Sequence, residues 1–80
     1  MILVTGGAGY IGSHTCVALA QAGMPCLVLD NFCNSRPDVL ERVGRITGQV
    51  PAHVQGDVRD SALLDDLFAR HPIQAVIHFA

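Results

Sequence analysis

The stretch TGGAGYIG at residues 5–12 limits what this chain can fold into more than any other feature. It holds four glycines and directly follows the apolar run MILV, where a strand would pass into a helix. Glycine destabilises regular structure by about 0.5–1 kcal/mol relative to alanine, so this density needs a reason that a larger side chain could not satisfy. We infer that something must come close to the backbone at this point.

An apolar or β-branched run followed by a helical pattern occurs three times along the chain, and a fourth run closes it. Three of the four runs are dense in branched aliphatic residues, which is typical of strands covered on both faces of a parallel sheet. The third run, AHVQG, is polar and is predicted to be an edge strand. The predicted strands span residues 1–5, 26–30, 52–56 and 75–79.

Three helices are predicted between these strands, each with recognisable ends. The first spans about residues 10–22, the second has Ser35 as its N-cap, and the third is capped by Asp60. Gly23 and Gly48 are expected to end the first two helices. The residues expected to be buried are Ile11, Ala18, Leu19 and Ala22 on the first helix, Val39, Val43 and Ile46 on the second, and Leu63, Leu64, Leu67 and Phe68 on the third.

This alternation of strands and helices predicts an α/β fold, a Rossmann-type parallel sheet with helices on both faces. A Rossmann unit of four strands has the order 3-2-1-4, which makes the first strand central and the third an edge. No linker or low-complexity segment divides the chain. We therefore predict that residues 1–80 form part of a single domain.

The glycine spacing indicates what approaches the backbone. Gly6, Gly9 and Gly12 stand three residues apart, and glycines of this kind allow a tight turn, the approach of a pyrophosphate and close packing of a helix on a strand. The N–H groups of Tyr10 and Ile11, at the positive end of the first helix, favour an anion. The sequence therefore predicts a dinucleotide phosphate here, and a glycine-rich turn without a ligand is the alternative.

Asp30 ends the second predicted strand and indicates which dinucleotide binds. A carboxylate there can accept hydrogen bonds from both hydroxyls of the adenosine ribose, and it would repel a 2′-phosphate. No arginine follows until Arg36. We predict NAD rather than NADP, with a solvated turn aspartate as the alternative.

The remaining candidates lie in the loops after the second, third and fourth strands. Asp57 can accept a hydrogen bond from the exocyclic amine of adenine, and Val58 can cover the ring; a simple turn role for Asp57 is the alternative. His78 is expected to be a structural residue, because a histidine in an apolar strand is more often satisfied in the core than catalytic. The candidates in these loops are Asn34, Ser35, Asp57, Val58, Phe79 and Ala80.

Composition excludes several classes of partner. A net charge of −2, with five arginines and no lysine, argues against binding to nucleic acid or to an anionic membrane surface. The start MILVTGG has neither the basic region of a signal peptide nor the length of a membrane span, so a cytoplasmic location is expected. Cys16, Cys26 and Cys33 lack the spacing of zinc ligands, and we expect reduced, mostly buried thiols and no metal site.

The motifs TGGAGYIGSH, DNFCNS, GDVRD and VIHFA, in this order, resemble the amino-terminal portion of the extended short-chain dehydrogenase/reductase family. Tyr10 and DNFCNS are most similar to its nucleotide-sugar epimerases, and 4,6-dehydratases and UDP-glucuronate decarboxylases are the alternatives. The resemblance implies a UDP-sugar held near NAD, oxidation at sugar C4 to a 4-keto intermediate, and return of the hydride to the opposite face. It also implies that UDP-glucose and UDP-galactose are thereby interconverted, in galactose metabolism.

The resemblance also implies which residues contact NAD. These are Gly6, Gly9, Tyr10 and Ile11 at the pyrophosphate, Asp30, Asn31, Asn34 and Ser35 on the adenosine ribose side, Asp57 and Val58 at the adenine, and Phe79 and Ala80 at the inner part of the dinucleotide.

Catalytic residues are not assigned to this chain. Family members use a serine or threonine with a YxxxK pair whose tyrosine is the general base, whereas this chain has no lysine and only Tyr10. We therefore expect a piece of a longer protein, a homodimer when intact, that binds NAD weakly by itself and can self-associate through an unpaired fourth-strand edge. A non-catalytic dinucleotide-sensing module and a purely structural Rossmann-like domain are the alternatives from other classes.

Overall fold

The fold is seen in a computed structural model that describes residues 1–31 and 38–79. Within these ranges, strands and helices alternate along the chain as the sequence predicts. The strands are β1 (Ile2–Thr5), β2 (Cys26–Asp30), β3 (Ala52–Gln55) and β4 (Ala75–His78), and the helices are α1 (Tyr10–Gln21), α2 (Asp38–Thr47) and α3 (Ser61–Arg70).

The strands form one parallel sheet in the order β3-β2-β1-β4, which confirms the predicted strand order. β2 is buried along its whole length, whereas β3 is largely exposed, as expected for an edge strand. β4 forms the other edge, and its Val76 is 50% exposed. Although β4 is apolar, the described residues therefore do not cover both of its faces.

Alternate residues of the central strands build two cores, one on each face of the sheet. Val4 and Val28 pack with α1 and α2, where Cys16, Leu40 and Val43 are buried. On the opposite face, buried Leu3, Leu27 and Leu29 pack against Leu67 of α3. The predicted placement of helices on both faces is thus confirmed.

The exposure of three large apolar residues shows where the predicted helix faces were wrong. Ile11 is 64% exposed, Ile46 is 65% exposed and Phe68 is 49% exposed. Since a helix turns about 100° per residue, Phe68 cannot face the sheet squarely when its neighbour Leu67 does. The apolar pattern on α3 was simply wider than the surface that the sheet covers.

On α1, the predicted stripe lies largely on the wrong side of the helix. Ala18 and Ala22 are exposed, and Leu19 is only partly buried. The face toward the sheet is instead made by Gly12 and Cys16, which are one helical turn apart. Small residues take this position because the helix lies close to the strands.

The predicted helix ends are confirmed wherever the structure describes them. Asp60 caps α3, its Oδ1 accepting a hydrogen bond from the Leu63 N–H at 3.1 Å. Gly23 and Gly48, with φ of 74° and 88°, follow α1 and α2 in the left-handed conformation typical of a helix stop. The predicted N-cap Ser35 lies outside the described residues.

Two further properties of the described residues bear on the predictions about the cysteines and about membrane spans. Cys16 and Cys26 are buried free thiols, as expected, and Cys33 lies outside the described residues. No helix in residues 1–31 or 38–79 combines the length and hydropathy that a membrane span requires.

Candidate functional site

The loops that hold the candidate residues meet at the carboxyl edge of the sheet. Thr5 is in register with Leu29 on one side and with His78 on the other, and Asp30 is in register with Gln55. The segments that follow these strand ends therefore lie next to one another. In open parallel sheets, ligands bind in the crevice at this edge.

Gly6 makes the turn that leads from β1 into the glycine loop. Its φ is 71°, in the left-handed region that favours glycine. Its N–H donates to the Leu29 carbonyl at 2.9 Å, and its own carbonyl accepts from the Gly9 N–H at 3.1 Å. This is the tight-turn role that the sequence predicts for one glycine of the loop.

Gly12 permits the close packing of α1 on that turn. A Cβ built at Gly12 would collide with the Gly6 carbonyl oxygen and would lie 2.8 Å from Gly7 Cα. Gly7 has a similar role that the sequence analysis missed, because a Cβ there would lie 2.8 Å from Cγ1 of Val28. The density of glycines was the available signal for Gly7, since the GxxGxxG spacing accounts for only three of the four.

Gly9 differs from these glycines because a side chain there would meet less of the described structure. Within residues 1–31 and 38–79, a Cβ at Gly9 would have one contact within 4 Å, with the Gly6 carbonyl oxygen at 3.3 Å. Gly9 is the N-cap of α1 in an extended conformation, and as a glycine it has no side chain with which to cap the helix. The first N–H groups of a helix, those of Tyr10 and Ile11 here, have no partner inside it. This bare helix start fits a phosphate group.

Asp30 is buried, being only 8% exposed, and it connects three of the loops at this edge. Its Oδ2 accepts a hydrogen bond from the Ala8 N–H at 3.0 Å, and its carbonyl oxygen accepts one from the Gly56 N–H at 3.0 Å. This burial excludes the solvated turn aspartate that was the alternative. The contact with Ala8 was not foreseen, because it joins residues that are distant in sequence.

Asp57, in the loop after β3, accepts hydrogen bonds from Arg59, which lies two residues further along the chain. The guanidinium Nη2 lies 2.7 Å from Asp57 Oδ2, and the Arg59 backbone N–H donates to Oδ1 at 2.8 Å. Hydrogen bonds from Arg59 lower the pKa of Asp57 from its ordinary value of 3.8 to about 2. Val58, between them, is partly buried against the core that contains Leu67.

The end of β4 is tied to β1 by both main chain and side chain. The Phe79 N–H donates to the Thr5 carbonyl at 2.9 Å, and Thr5 Oγ1 lies 2.6 Å from His78 Nδ1. His78 is exposed rather than in the core, yet it has this structural partner. Phe79 is 41% exposed at the same edge.

The described residues thus bring most of the predicted set to one edge of the sheet, with Asn31 exposed at the end of β2. Among these residues no group of three or more histidine, cysteine or acidic side chains could hold a metal ion. The candidates Asn34, Ser35 and Ala80 lie outside the described residues. The contacts of the whole set with a cofactor stay predictions.

Comparison with known proteins gives close relatives over the whole chain. UDP-glucose 4-epimerases of Yersinia pestis and Pasteurella multocida are 60% and 61% identical over 79 residues. These alignments cover 99% of this chain and 23% of each relative. The chain therefore spans about a quarter of the length of these relatives.

Solved structures show the same fold. The UDP-glucose-4-epimerase of Stenotrophomonas maltophila, with bound NAD and formylated UDP-arabinopyranose, is 54% identical with a TM-score of 0.96. The enzyme of Bifidobacterium longum, in complex with NAD and UDP, is 49% identical with a TM-score of 0.96. Both matches cover 99% of this chain and 24% of the solved one.

The sequence also matches one family of proteins along almost its entire length, residues 2–80. With the Rossmann-type sheet and the bare glycine loop described above, this match shows that the chain belongs to the NAD dependent epimerase/dehydratase family.

Proposed function

We propose that this chain is the NAD-binding part of a UDP-glucose 4-epimerase, comprising the amino-terminal portion of its Rossmann domain. The observation that carries the proposal is the open start of α1 beside Gly9, with the buried carboxylate of Asp30 bound to the same loop. Relatives that contain NAD share this fold at 49–54% identity. An adenosine diphosphate unit has a pyrophosphate, which suits the anion site, and a ribose, which suits the acidic residue next to that site.

The proposed roles of the residues follow from their positions along the edge. The N–H groups of Tyr10 and Ile11 would bind the pyrophosphate, and Gly9 would let it approach. Asp30, with Asn31, Asn34 and Ser35, would bind the adenosine ribose. The remaining proposed contacts are Gly6 and Gly12 at the loop, Asp57 and Val58 at the adenine, and Phe79 and Ala80 at the inner part of the dinucleotide.

The chain would bind and orient the cofactor rather than move protons. NAD, when bound, supplies a hydride acceptor for carbon chemistry. The chain has no lysine, and the side chain of its only tyrosine, Tyr10, is 82% exposed and packs edge-on against His14. A tyrosine with a lysine partner, as the family resemblance requires, is therefore not among these residues.

The names of the relatives favour an epimerase over the 4,6-dehydratase and decarboxylase alternatives. The proposed reaction interconverts UDP-glucose and UDP-galactose, and the partner is a UDP-sugar. A cytoplasmic location, a role in galactose metabolism and a homodimer for the intact protein stay predictions. A non-catalytic dinucleotide-sensing module would use the same loop and is the remaining alternative.

The proposal is tested by comparing NAD with NADP. We expect the chain to prefer NAD, because the Asp30 carboxylate repels a 2′-phosphate and hydrogen bonds to a charged group contribute about 1.5–3 kcal/mol. Asp30→Asn keeps an acceptor for the Ala8 N–H and removes the charge. It should lower the preference by about tenfold. Saturation-transfer NMR titration suits the weak affinity expected of this chain.

Asp66→Asn is the matched control, since it removes one acidic charge from an exposed ion pair with Arg70 on α3. It should leave the preference unchanged. Equal or tighter binding of NADP by the unaltered chain would refute the assignment of NAD.

A further inference from the structure

The ion pair between Asp57 and Arg59 forms a closed ring within one short turn. Three N–H groups of Arg59 donate to this single carboxylate, namely the backbone N–H, Nε and Nη2. The distances to Oδ1 are 2.8 Å from the backbone nitrogen and 3.1 Å from Nε. Those to Oδ2 are 2.7 Å from Nη2 and 3.2 Å from Nε.

The turn that carries this ring is anchored at both ends. The Gly56 N–H donates to the Asp30 carbonyl at 3.0 Å, which ties the turn to the end of β2. The Asp60 N–H donates to the Asp57 carbonyl at 3.0 Å, and Asp60 then caps α3. The backbone of the turn therefore has a fixed place at the carboxyl edge, next to the end of β2.

The ring contributes little to holding the fold together. Its side chains are exposed, by 36% for Asp57 and by 87% for Arg59, and ion pairs of this kind add little stability. It also joins residues that are only two apart in the same turn, so it connects no separate elements. Its physical effect is to fix the rotation of the Asp57 carboxylate.

A carboxylate fixed in this way can distinguish between purine rings. It has about four lone-pair positions, whereas Arg59 offers it three hydrogens, of which that of Nε is shared between the two oxygens at 3.1 and 3.2 Å. The carboxylate is 36% exposed, and on that side it can accept one further hydrogen bond. The exocyclic amine of adenine is a donor, whereas hypoxanthine presents a carbonyl oxygen at the same position. The carboxylate would accept a hydrogen bond from the first and repel the second.

We propose that Arg59 is a positioning residue that sets the preference for adenine by orienting the Asp57 carboxylate. This inference rests on the proposed function, because it places the adenine of NAD next to Asp57. At neutral pH the Asp57 carboxyl is ionised with or without Arg59, because its ordinary pKa is 3.8, so the part that Arg59 plays is the orientation of the carboxylate.

The test compares NAD with nicotinamide hypoxanthine dinucleotide, in which a carbonyl oxygen replaces the exocyclic amine of adenine and N1 carries a hydrogen. The unaltered chain should bind NAD about tenfold more tightly. Arg59→Gln should lower this ratio by about threefold or more, and Asp57→Asn should lower it similarly. Arg59→Lys should give a ratio between those of Arg59→Gln and the unaltered chain, because an ammonium group lacks the planar fork of the guanidinium.

Arg70→Gln is the matched control. Arg70 also forms an exposed ion pair, with Asp66 at 2.7 Å, but it lies at the end of α3. This variant should retain the ratio of the unaltered chain. Circular dichroism spectra of all variants should be identical, because none of these side chains supports the core.

The outcomes separate the inference from the proposed function. An unchanged ratio in Arg59→Gln, an equal loss in Arg70→Gln or full recovery in Arg59→Lys would each overturn the positioning role. An unchanged ratio in Asp57→Asn would overturn it as well. A failure of the unaltered chain to bind either dinucleotide would instead refute the proposed function.

Discussion

Replacing Gly12 with alanine should destabilise the chain far more than the same replacement at Gly9, although both glycines belong to one motif. At Gly12 the three atoms nearest to the added methyl group would all belong to the backbone, namely the carbonyl group of Gly6 and Cα of Gly7. Backbone atoms cannot rotate away as a flexible side chain can. The turn and the start of α1 would have to separate.

The size of the effect follows from two opposing contributions. Alanine is favoured over glycine inside a helix by about 1 kcal/mol. Overpacking costs about 1–3 kcal/mol. Gly12→Ala lies at or above the top of this range, because the atoms nearest to the added methyl group belong to the backbone. The net loss is about 2 kcal/mol, and a chain of this size loses about 4–8 °C in melting temperature per kcal/mol. We expect the melting temperature to fall by about 8–16 °C.

Gly9→Ala should cost about 0.5–1 kcal/mol, because its Cβ meets a single oxygen at 3.3 Å and alanine is a poorer N-cap than glycine. Its defect should appear in binding instead, since the methyl group would stand where a phosphate approaches the open start of α1. Thermal unfolding followed by circular dichroism gives the stability, and NMR titration with NAD gives the affinity.

Three results would contradict the roles assigned to Gly12 and Gly9. A melting temperature of Gly12→Ala at or above that of the unaltered chain would show that close packing is not the reason for this glycine. A greater loss of stability in Gly9→Ala than in Gly12→Ala would reverse the assignment of their roles. Normal NAD affinity in Gly9→Ala would remove the loop from the proposed phosphate site.

Three further outcomes are expected. Asp60→Ala should lower the free energy of unfolding by about 1 kcal/mol, because it removes the N-cap of α3; a urea titration with no change would contradict the cap. Leu67→Ala should cost about 2–5 kcal/mol, whereas Phe68→Ala, at a position 49% exposed, should cost much less; equal losses would contradict the observed helix face. Arg59→Gln should raise the pKa of Asp57 from about 2 toward its ordinary value of 3.8, so that the carboxylate takes up its proton at higher pH; carboxyl ¹³C NMR titration measures this midpoint, and an unchanged value would contradict the role of Arg59.

The sequence predicted the order of elements and the sheet topology because both depend on local patterns and on general rules of chain connection. Right-handed crossovers give a parallel sheet with helices on its faces, a Rossmann unit has the strand order 3-2-1-4, and the polarity of β3 marks it as an edge. The side of a helix that faces the sheet is harder to predict, because it depends on how far the sheet extends. Ile11 and Ile46 look like core residues in sequence, but the described residues provide no surface to cover them.

The candidate site divides in the same way. Gly6 and Gly12 could be identified from spacing, because their roles come from backbone geometry within eight residues, and the role of Gly9 at a phosphate stays a prediction. The contact of Gly7 with Val28 could not be predicted, because β2, which carries Val28, comes close to the glycine loop only in the folded sheet. The hydrogen bond from the Ala8 N–H to Asp30 was missed for the same reason.

That hydrogen bond changes how Asp30 must be tested. The sequence treats Asp30 as a ligand for the ribose, whereas the structure also makes it a support of the glycine loop through the Ala8 N–H. Asp30→Ala would remove the charge and also leave a buried N–H without its acceptor, which costs about 1–3 kcal/mol. A loss of NAD binding in that variant would follow from either change. Asp30→Asn separates them, because the amide oxygen still accepts from Ala8 while the carboxylate charge is gone. If Asp30→Asn keeps the melting temperature of the unaltered chain and loses its preference for NAD, then selection of the cofactor depends on the charge and the shape of the loop on the oxygen atom.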